Sequence, residues 1–293
     1  MIPSVSQVVA AYQESAKLER VKSGRPGVRT ARNAVNGTKI VVKMAAKVLE
    51  RAESEVLELP FSAIDRRLLD KALLRLVEGG VKRLTAWSYV CQFRAIAARW
   101  TLGYYEDRGW SIQTPQLPHF PVRGQRYERP SPDLLDRVKA WYAGLKGRER
   151  FAATMMLEFG MRNGDIMRLK SNNLVWRGER WYLSYTPHKT QLSSGRRVMW
   201  PVCASLLALV REGCERGVKA GVFERLNRQL RALGFKGSKA CYELRKICID
   251  HVYQKYGAEM ATSLSGDDIR TISRYYADPA QPNLGETRVV DLL

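Results

Sequence analysis

Apolar residues recur at helical spacing through the first third of the chain. Val5, Val8, Val9 and Tyr12 share one helical face. The stretch Lys22-Ser23-Gly24-Arg25-Pro26-Gly27 breaks that pattern with glycine and proline, and so ends the first helix. A second helix is predicted from about Val28 to Glu50. Pro60 and Gly79-Gly80 bracket a third, whose stripe is Leu68, Leu69, Ala72, Leu73 and Leu76. Thr85 is the predicted N-cap of a fourth, which puts Tyr89, Phe93, Ile96 and Ala97 on one face. Together these four helices form a small bundle over residues 1–112.

The pattern then changes. Residues 113–130 hold prolines and arginines with little periodicity, which predicts an extended linker. Ser131-Pro132-Asp133 is an N-terminal helix signature ahead of Leu134, Leu135, Val138 and Trp141. A further helix is predicted over about Glu149–Phe159, stopped by Gly160. Leu174 to Tyr185 alternates about a turn at Arg177-Gly178-Glu179, as a hairpin does, and Val198 to Val202 predicts a third short strand. Helices dominate from there to about Tyr276. The resulting expectation is a second domain over 131–278 and a tail over 279–293 that ends in Val289, Val290, Leu292 and Leu293. The fold class is mainly α with a small antiparallel β-sheet.

Charge narrows the function. Forty-nine Lys and Arg stand against 29 Asp and Glu, a net charge of +20. The excess is shared by both predicted domains, so it belongs to folded surfaces more than to a tail. That favours a polyanionic partner, with nucleic acid ahead of a ribosomal or membrane surface. At 293 residues the chain can bury two cores, which points to a folded enzyme or a DNA clamp. Cys91, Cys203, Cys214, Cys241 and Cys248 form no C-x-x-C pair and read as reduced thiols within apolar segments. His119, His188 and His251 are too scattered for a zinc site. The N-terminal residues lack the pattern of a signal peptide and no apolar run is long enough to span a membrane, so the expected setting is cytoplasmic, in association with the nucleoid.

Four short segments carry candidate chemistry. In Phe159-Gly160-Met161-Arg162-Asn163-Gly164-Asp165 a carboxylate lies three residues after an arginine and can hold its guanidinium towards a ligand. A surface ion pair, or a turn at Asn163-Gly164, reads the same way. His188-Lys189-Thr190 follows the hairpin, where a lysine can act as a point charge or proton donor, or simply be solvated. Tyr242-Glu243-Leu244-Arg245-Lys246 opens a helix with Arg245 beside its apolar face, and a part-buried arginine needs an anionic partner. Ile269 to Tyr276 ends a short helix in two tyrosines, which either pack or serve as nucleophiles if cations offset the phenolate charge.

Their order and spacing resemble the tyrosine recombinase (phage integrase) family. Gly160 to Asp165 is similar to the family's G-L-R-x-x-E box, with Asp165 for glutamate. His188-Lys189-Thr190 resembles the hairpin bearing the family's lysine, Tyr242 to Lys246 its H-x-L-R-H box, and Ile269 to Tyr276 the segment that ends in its nucleophile. The first domain, with Leu84-Thr85-Ala86-Trp87 opening its last helix, resembles the family's core-binding domain. The resemblance implies a C-shaped clamp: a core-binding domain over 1–112, a linker over 113–130 and a catalytic domain over 131–278.

It also implies a site-specific recombinase or integrase of mobile elements. Arg162 and Arg245 would bind the scissile phosphate, Lys189 would protonate the leaving 5′ oxygen, and Tyr275 would attack phosphorus to give a 3′-phosphotyrosyl link. Such an enzyme needs no metal or nucleotide cofactor. Its partners would be double-stranded DNA and further copies of the chain, a tetramer on DNA, with the apolar tail docking on a neighbour. Two positions depart from the family pattern. Tyr242 stands where the family has a histidine, and Gly266 where it has histidine or tryptophan nine residues before Tyr275. These departures leave room for an alternative, a DNA-binding protein on the same scaffold that does not cut. A type IB topoisomerase would share the same chemistry.

Overall fold

The computed structural model describes residues 1–22, 28–97, 99–120, 127–189, 191, 195–237 and 239–276; the side chains of 18–22, 28–30, 99, 100, 274 and 275 are outside that description. The chain divides into two compact units, Met1–Gly124 and Gln125–Leu293.

The first unit is helical: α1 (Val5–Lys22), α2 (Val28–Leu49), α3 (Glu53–Glu58), α4 (Arg66–Glu78), α5 (Arg83–Ala95) and α6 (Arg99–Glu106). The α4 stripe of Leu68, Leu69, Ala72, Leu73 and Leu76 is buried as its spacing requires, and Asp65 caps the helix by accepting from the Leu68 N–H at 2.8 Å. The fourth predicted helix begins earlier than Thr85. Its cap is Lys82, in an extended conformation, and Thr85 lies in the first turn with its N–H bonded to the Lys82 carbonyl at 2.8 Å. The short helices α3 and α6 were not evident from periodicity, since α3 has six residues and buries only Val56. Helix α2 crosses α5 at Gly37, where any Cβ would collide with Gln92. Part of the predicted linker belongs to this unit. Leu117 and Phe120 pack against its core, and the Phe120 ring stacks on Trp87 at 6.0 Å with the Arg83 guanidinium 4.5 Å from its centroid.

The second unit opens with α7 (Pro132–Gly144), where the Ser131 hydroxyl accepts from the Leu134 N–H at 3.3 Å and Pro132 supplies the preset first turn. Helix α8 (Gly147–Leu157) buries every residue from Phe151 to Leu157, so it is the central helix and not an amphipathic surface one. Helix α9 (Asn163–Ile166) follows, then β1 (Leu174–Arg177), β2 (Arg180–Tyr185) and β3 (Val198–Val202). These strands form an antiparallel sheet in that order, with Leu174 opposite Leu183 and Tyr185 opposite Val198. The chain continues as α10 (Ala204–Arg216), α11 (Ala220–Leu233), α12 (Cys241–Ser265) and α13 (Ile269–Tyr275).

Two clusters organise this unit. The larger one surrounds α8 with residues of α7, α10, α11, the sheet and the start of α12. The smaller joins Cys248, Ile249 and Val252 to Ala261, Leu264, Ile272 and Tyr276, and so seats the end of α12 and α13 on the earlier part of α12. Within α12, Gly257 has φ 83 and ψ 177, so two helical segments meet there at a kink. The architecture is mainly helical with one small antiparallel sheet, as expected. The predicted tail, 279–293, lies outside the described residues.

Candidate active site

The site begins where α8 stops. Gly160 has φ +54, and a Cβ there would lie 3.4 Å from Ile249 Cγ1 and 3.5 Å from Cys248 Sγ. Those are ordinary contact distances, so what calls for glycine here is the left-handed turn. The turn aims the Gly160 carbonyl at Arg245 and leads through Met161 to Arg162, the N-cap of α9.

Arg245 is 1% exposed, the largest fully buried side chain among the described residues. A guanidinium so deeply placed is stable only if its N–H groups are all paired. Nη1 donates to the Gly160 carbonyl; Nη2 donates to the Ser265 carbonyl at 3.2 Å and to Asp267 Oδ2 at 2.6 Å; Nε reaches the Tyr276 hydroxyl at 3.5 Å. Burial alone would weaken its hold on the proton, but Tyr276, Asp267 and Tyr242 outweigh this and keep its pKa above the ordinary arginine value.

Arg162 faces the same carboxylate from the other side, with Nη2 donating to Asp267 Oδ1. Its Nη1 is buried without a hydrogen-bond partner among the described residues and lies 4.0 Å from Asp165 Oδ2. Asp165 is buried, and its Oδ1 accepts from the His188 N–H at 2.9 Å, tying the Arg162 corner to the segment after β2. Lys189 is exposed and lies one residue beyond that tether.

Tyr276 closes the group. It is 3% exposed, its hydroxyl is hydrogen-bonded to that of Tyr242, and Arg245 lies 5.4 Å from its ring centroid. Burial pushes its pKa well above that of a free tyrosine; Arg245 opposes this, while Tyr242 and Asp267 add to it. In this arrangement Tyr276 is a neutral hydroxyl. The side chain of Tyr275 lies outside the described residues.

Of the residues nominated from sequence, Arg162, Asp165, Tyr242 and Arg245 therefore come together. Gly266 borders the group through its backbone. It ends α12 at φ 68 and ψ 13, and a Cβ there would come within 2.9 Å of Pro187 Cγ. Asp267 was not nominated, and Tyr276 was passed over in favour of Tyr275. They are separated by the same nine residues as Gly266 and Tyr275, shifted by one. A signal was available: Ile272 and Tyr276 are four apart on α13 and share its buried face. The resulting chemistry is that of an anion site. Two guanidinium groups converge on the two oxygens of one carboxylate, with a tyrosine hydroxyl beside one of them.

No protein-family model matches the chain, and no curated protein sequence does. Solved structures do. A lambda integrase dimer bound to a COC′ core site superposes with a TM-score of 0.65 and 14% identity, covering 97% of this chain and 81% of that one. The XerH site-specific recombinase bound to difH substrate gives 0.53 and 12%, covering 92% and 93%. The Tn1549 transposon integrase in complex with circular intermediate DNA gives 0.53 and 12%, covering 95% and 96%. The likeness is one of fold, and the chain carries, over nearly its whole length, the fold of these tyrosine recombinases and integrases.

Proposed function

We propose that this protein cleaves and rejoins DNA strands through a 3′-phosphotyrosyl intermediate, as a site-specific recombinase or integrase. The observation that carries the reading is the convergence of Arg162 and Arg245 on one anion position, with the Tyr276 hydroxyl 3.5 Å from Arg245 Nε. In the reaction both arginines bind the non-bridging oxygens of the scissile phosphate and stabilise the charge of the pentavalent transition state. Tyr276, in place of the Tyr275 expected from spacing, gives up its phenolic proton to water and supplies the oxygen that bonds to phosphorus. The bond from phosphorus to the 5′ oxygen breaks, and Lys189 delivers a proton to that oxygen. Tyr242 donates a hydrogen bond to the phosphate once Tyr276 turns towards it. Asp165 holds the Arg162 corner and the His188 segment in register. Double-stranded DNA is the substrate, bound with salt-sensitive affinity, and further copies of the chain assemble on it.

The test is a covalent adduct. Wild-type protein incubated with a pool of nicked duplexes of random sequence yields a protein–DNA species that survives denaturant. It is absent for Tyr276→Phe and retained for Tyr275→Phe. Tight duplex binding with no adduct at any pH overturns the reading.

A second reading, a DNA-binding protein that does not cut, is favoured by one observation: a carboxylate of the chain itself fills the anion position. The same assay separates the two. Relaxation of supercoiled plasmid without a specific site marks a topoisomerase instead.

A further inference from the structure

We infer that Asp267 is a built-in stand-in for the substrate phosphate and must give up both arginines before DNA phosphate can take its place. This rests on the reading of the arginine pair as a phosphate site. Four observations carry it.

The first is geometry. Asp267 divides its two oxygens between the arginines, Oδ1 to Arg162 Nη2 and Oδ2 to Arg245 Nη2, with its side chain 8% exposed. Two non-bridging phosphate oxygens make the same demand. The second is vacancy elsewhere. The other Arg245 contacts go to the Gly160 and Ser265 carbonyls and to the Tyr276 hydroxyl, so the Asp267 position is where an incoming anion meets this guanidinium. Arg162 Nη1 is a buried donor with no hydrogen-bond partner among the described residues. Each non-bridging oxygen of a phosphodiester accepts more than one hydrogen bond, and a phosphate not tied to this joint of the chain can be placed to meet that spare donor as well as both Nη2 groups.

The third is charge. A phosphodiester carries one negative charge, as the carboxylate does, so the exchange leaves the net charge of the pocket unchanged and the two compete on hydrogen bonding and geometry. The fourth is attachment. Asp267 belongs to no helix. It lies in the joint 266–268 between α12 and α13, with its N–H bonded to Ser265 Oγ at 3.1 Å and the left-handed Gly266 before it. Helix α13 starts two residues later and ends next to Tyr276, whose hydroxyl is engaged by Tyr242 and Arg245. One displacement of this joint thus withdraws the carboxylate and frees the tyrosine.

Inorganic sulfate is the probe. Thermal unfolding of the full chain is followed against sulfate concentration, with chloride controls at matched ionic strength, for wild type, Asp267→Asn and Asp267→Asn/Arg162→Gln. The expected result is half-maximal stabilisation of Asp267→Asn at a sulfate concentration at least tenfold lower than for wild type, with the response lost in the double variant. Equal sulfate dependence of wild type and Asp267→Asn overturns the inference. If Asp267→Asn does not fold, wild type labelled with ¹⁵N decides. Sulfate must shift the Asp267 amide together with the Arg162 and Arg245 side-chain signals; arginine shifts with an unmoved Asp267 amide overturn it. The outcomes are distinguishable from those of the cleavage assay. Adduct formation with equal sulfate dependence removes the stand-in role and leaves cleavage intact. A tenfold sulfate difference with no adduct from either wild type or Asp267→Asn leaves the stand-in role and removes cleavage.

Discussion

Glu158 offers a prediction whose size and sign both follow from its surroundings. It is the C-cap of α8, and its Oε1 is buried with no hydrogen-bond partner among the described residues. It lies close enough to Cys248 on α12 for its charge to help push that thiol's pKa up. Burial raises the Glu158 carboxyl from 4.5 to about 7. That difference corresponds to roughly 3 kcal/mol of folded-state preference for the neutral form. This is an upper figure, because the residue as a whole is only half-buried. The fold binds this proton more tightly than the unfolded chain does. The associated stability is therefore fully present below pH 4.5 and is lost as pH rises through about 7. Glu158→Gln keeps the shape and removes the titration. The variant should gain on wild type as pH rises, by up to roughly 3 kcal/mol at pH 8, and the two should converge near pH 4.5. Urea unfolding of both proteins across that range measures it, at constant ionic strength. Parallel pH profiles would refute the reasoning, since a carboxyl with an ordinary affinity for protons contributes no difference in slope.

Three further outcomes are expected. Gly160→Ala should destabilise the second unit by about 1–3 kcal/mol, because alanine is strained at φ +54; unfolding midpoints check it. Arg245→Lys should lower the rate of adduct formation by on the order of 10²-fold or more, since an ammonium cannot span the positions filled by Gly160, Ser265 and Asp267 together; single-turnover cleavage reads it, and a loss under fivefold counts against the assigned role. Tyr242→Phe removes one of the lesser influences that hold the Tyr276 pKa up, so the rise of cleavage rate with pH, which follows loss of the Tyr276 proton, should move to lower pH, and an unchanged rise speaks against their coupling.

How far the sequence led depends on what kind of signal each feature left. Helix α4 was legible because five apolar side chains fall on one stripe and Gly79 stops it. The hairpin and third strand were legible from alternation, and their bounds match β1, β2 and β3 closely. Helix α3 was not, because six residues with a single buried side chain leave no periodic trace. In the site, Arg245 stood out because a charged residue beside an apolar face needs a partner, and it is 1% exposed and paired with Asp267; Arg162 was marked by the carboxylate three residues on, Asp165. Asp267 left no such mark. Its importance comes from two arginines 105 and 22 positions away along the chain, and only the tertiary fold brings them within reach. Tyr275 and Tyr276 are chemically identical neighbours, and what marks Tyr276 is its burial with Ile272 in the smaller cluster. The ion pair of Arg129 with Asp250, 2.7 Å apart and nearly inaccessible, was equally silent in the sequence, its partners 121 positions apart.

The kink at Gly257 has a consequence for how such a protein can be altered. Before it, α12 carries Tyr242 and Arg245 and is rooted in the main cluster; after it, residues 258–276 carry Asp267 and Tyr276 and are held by the smaller one. Arg245 and the two groups that face it, Asp267 and Tyr276, thus belong to separate stretches of chain. Under the proposed function, grafting the stretch that corresponds to residues 258–276 from another protein of this fold should change the occupant of the anion position and the nucleophile together, while Arg245 keeps its bond to the Gly160 carbonyl.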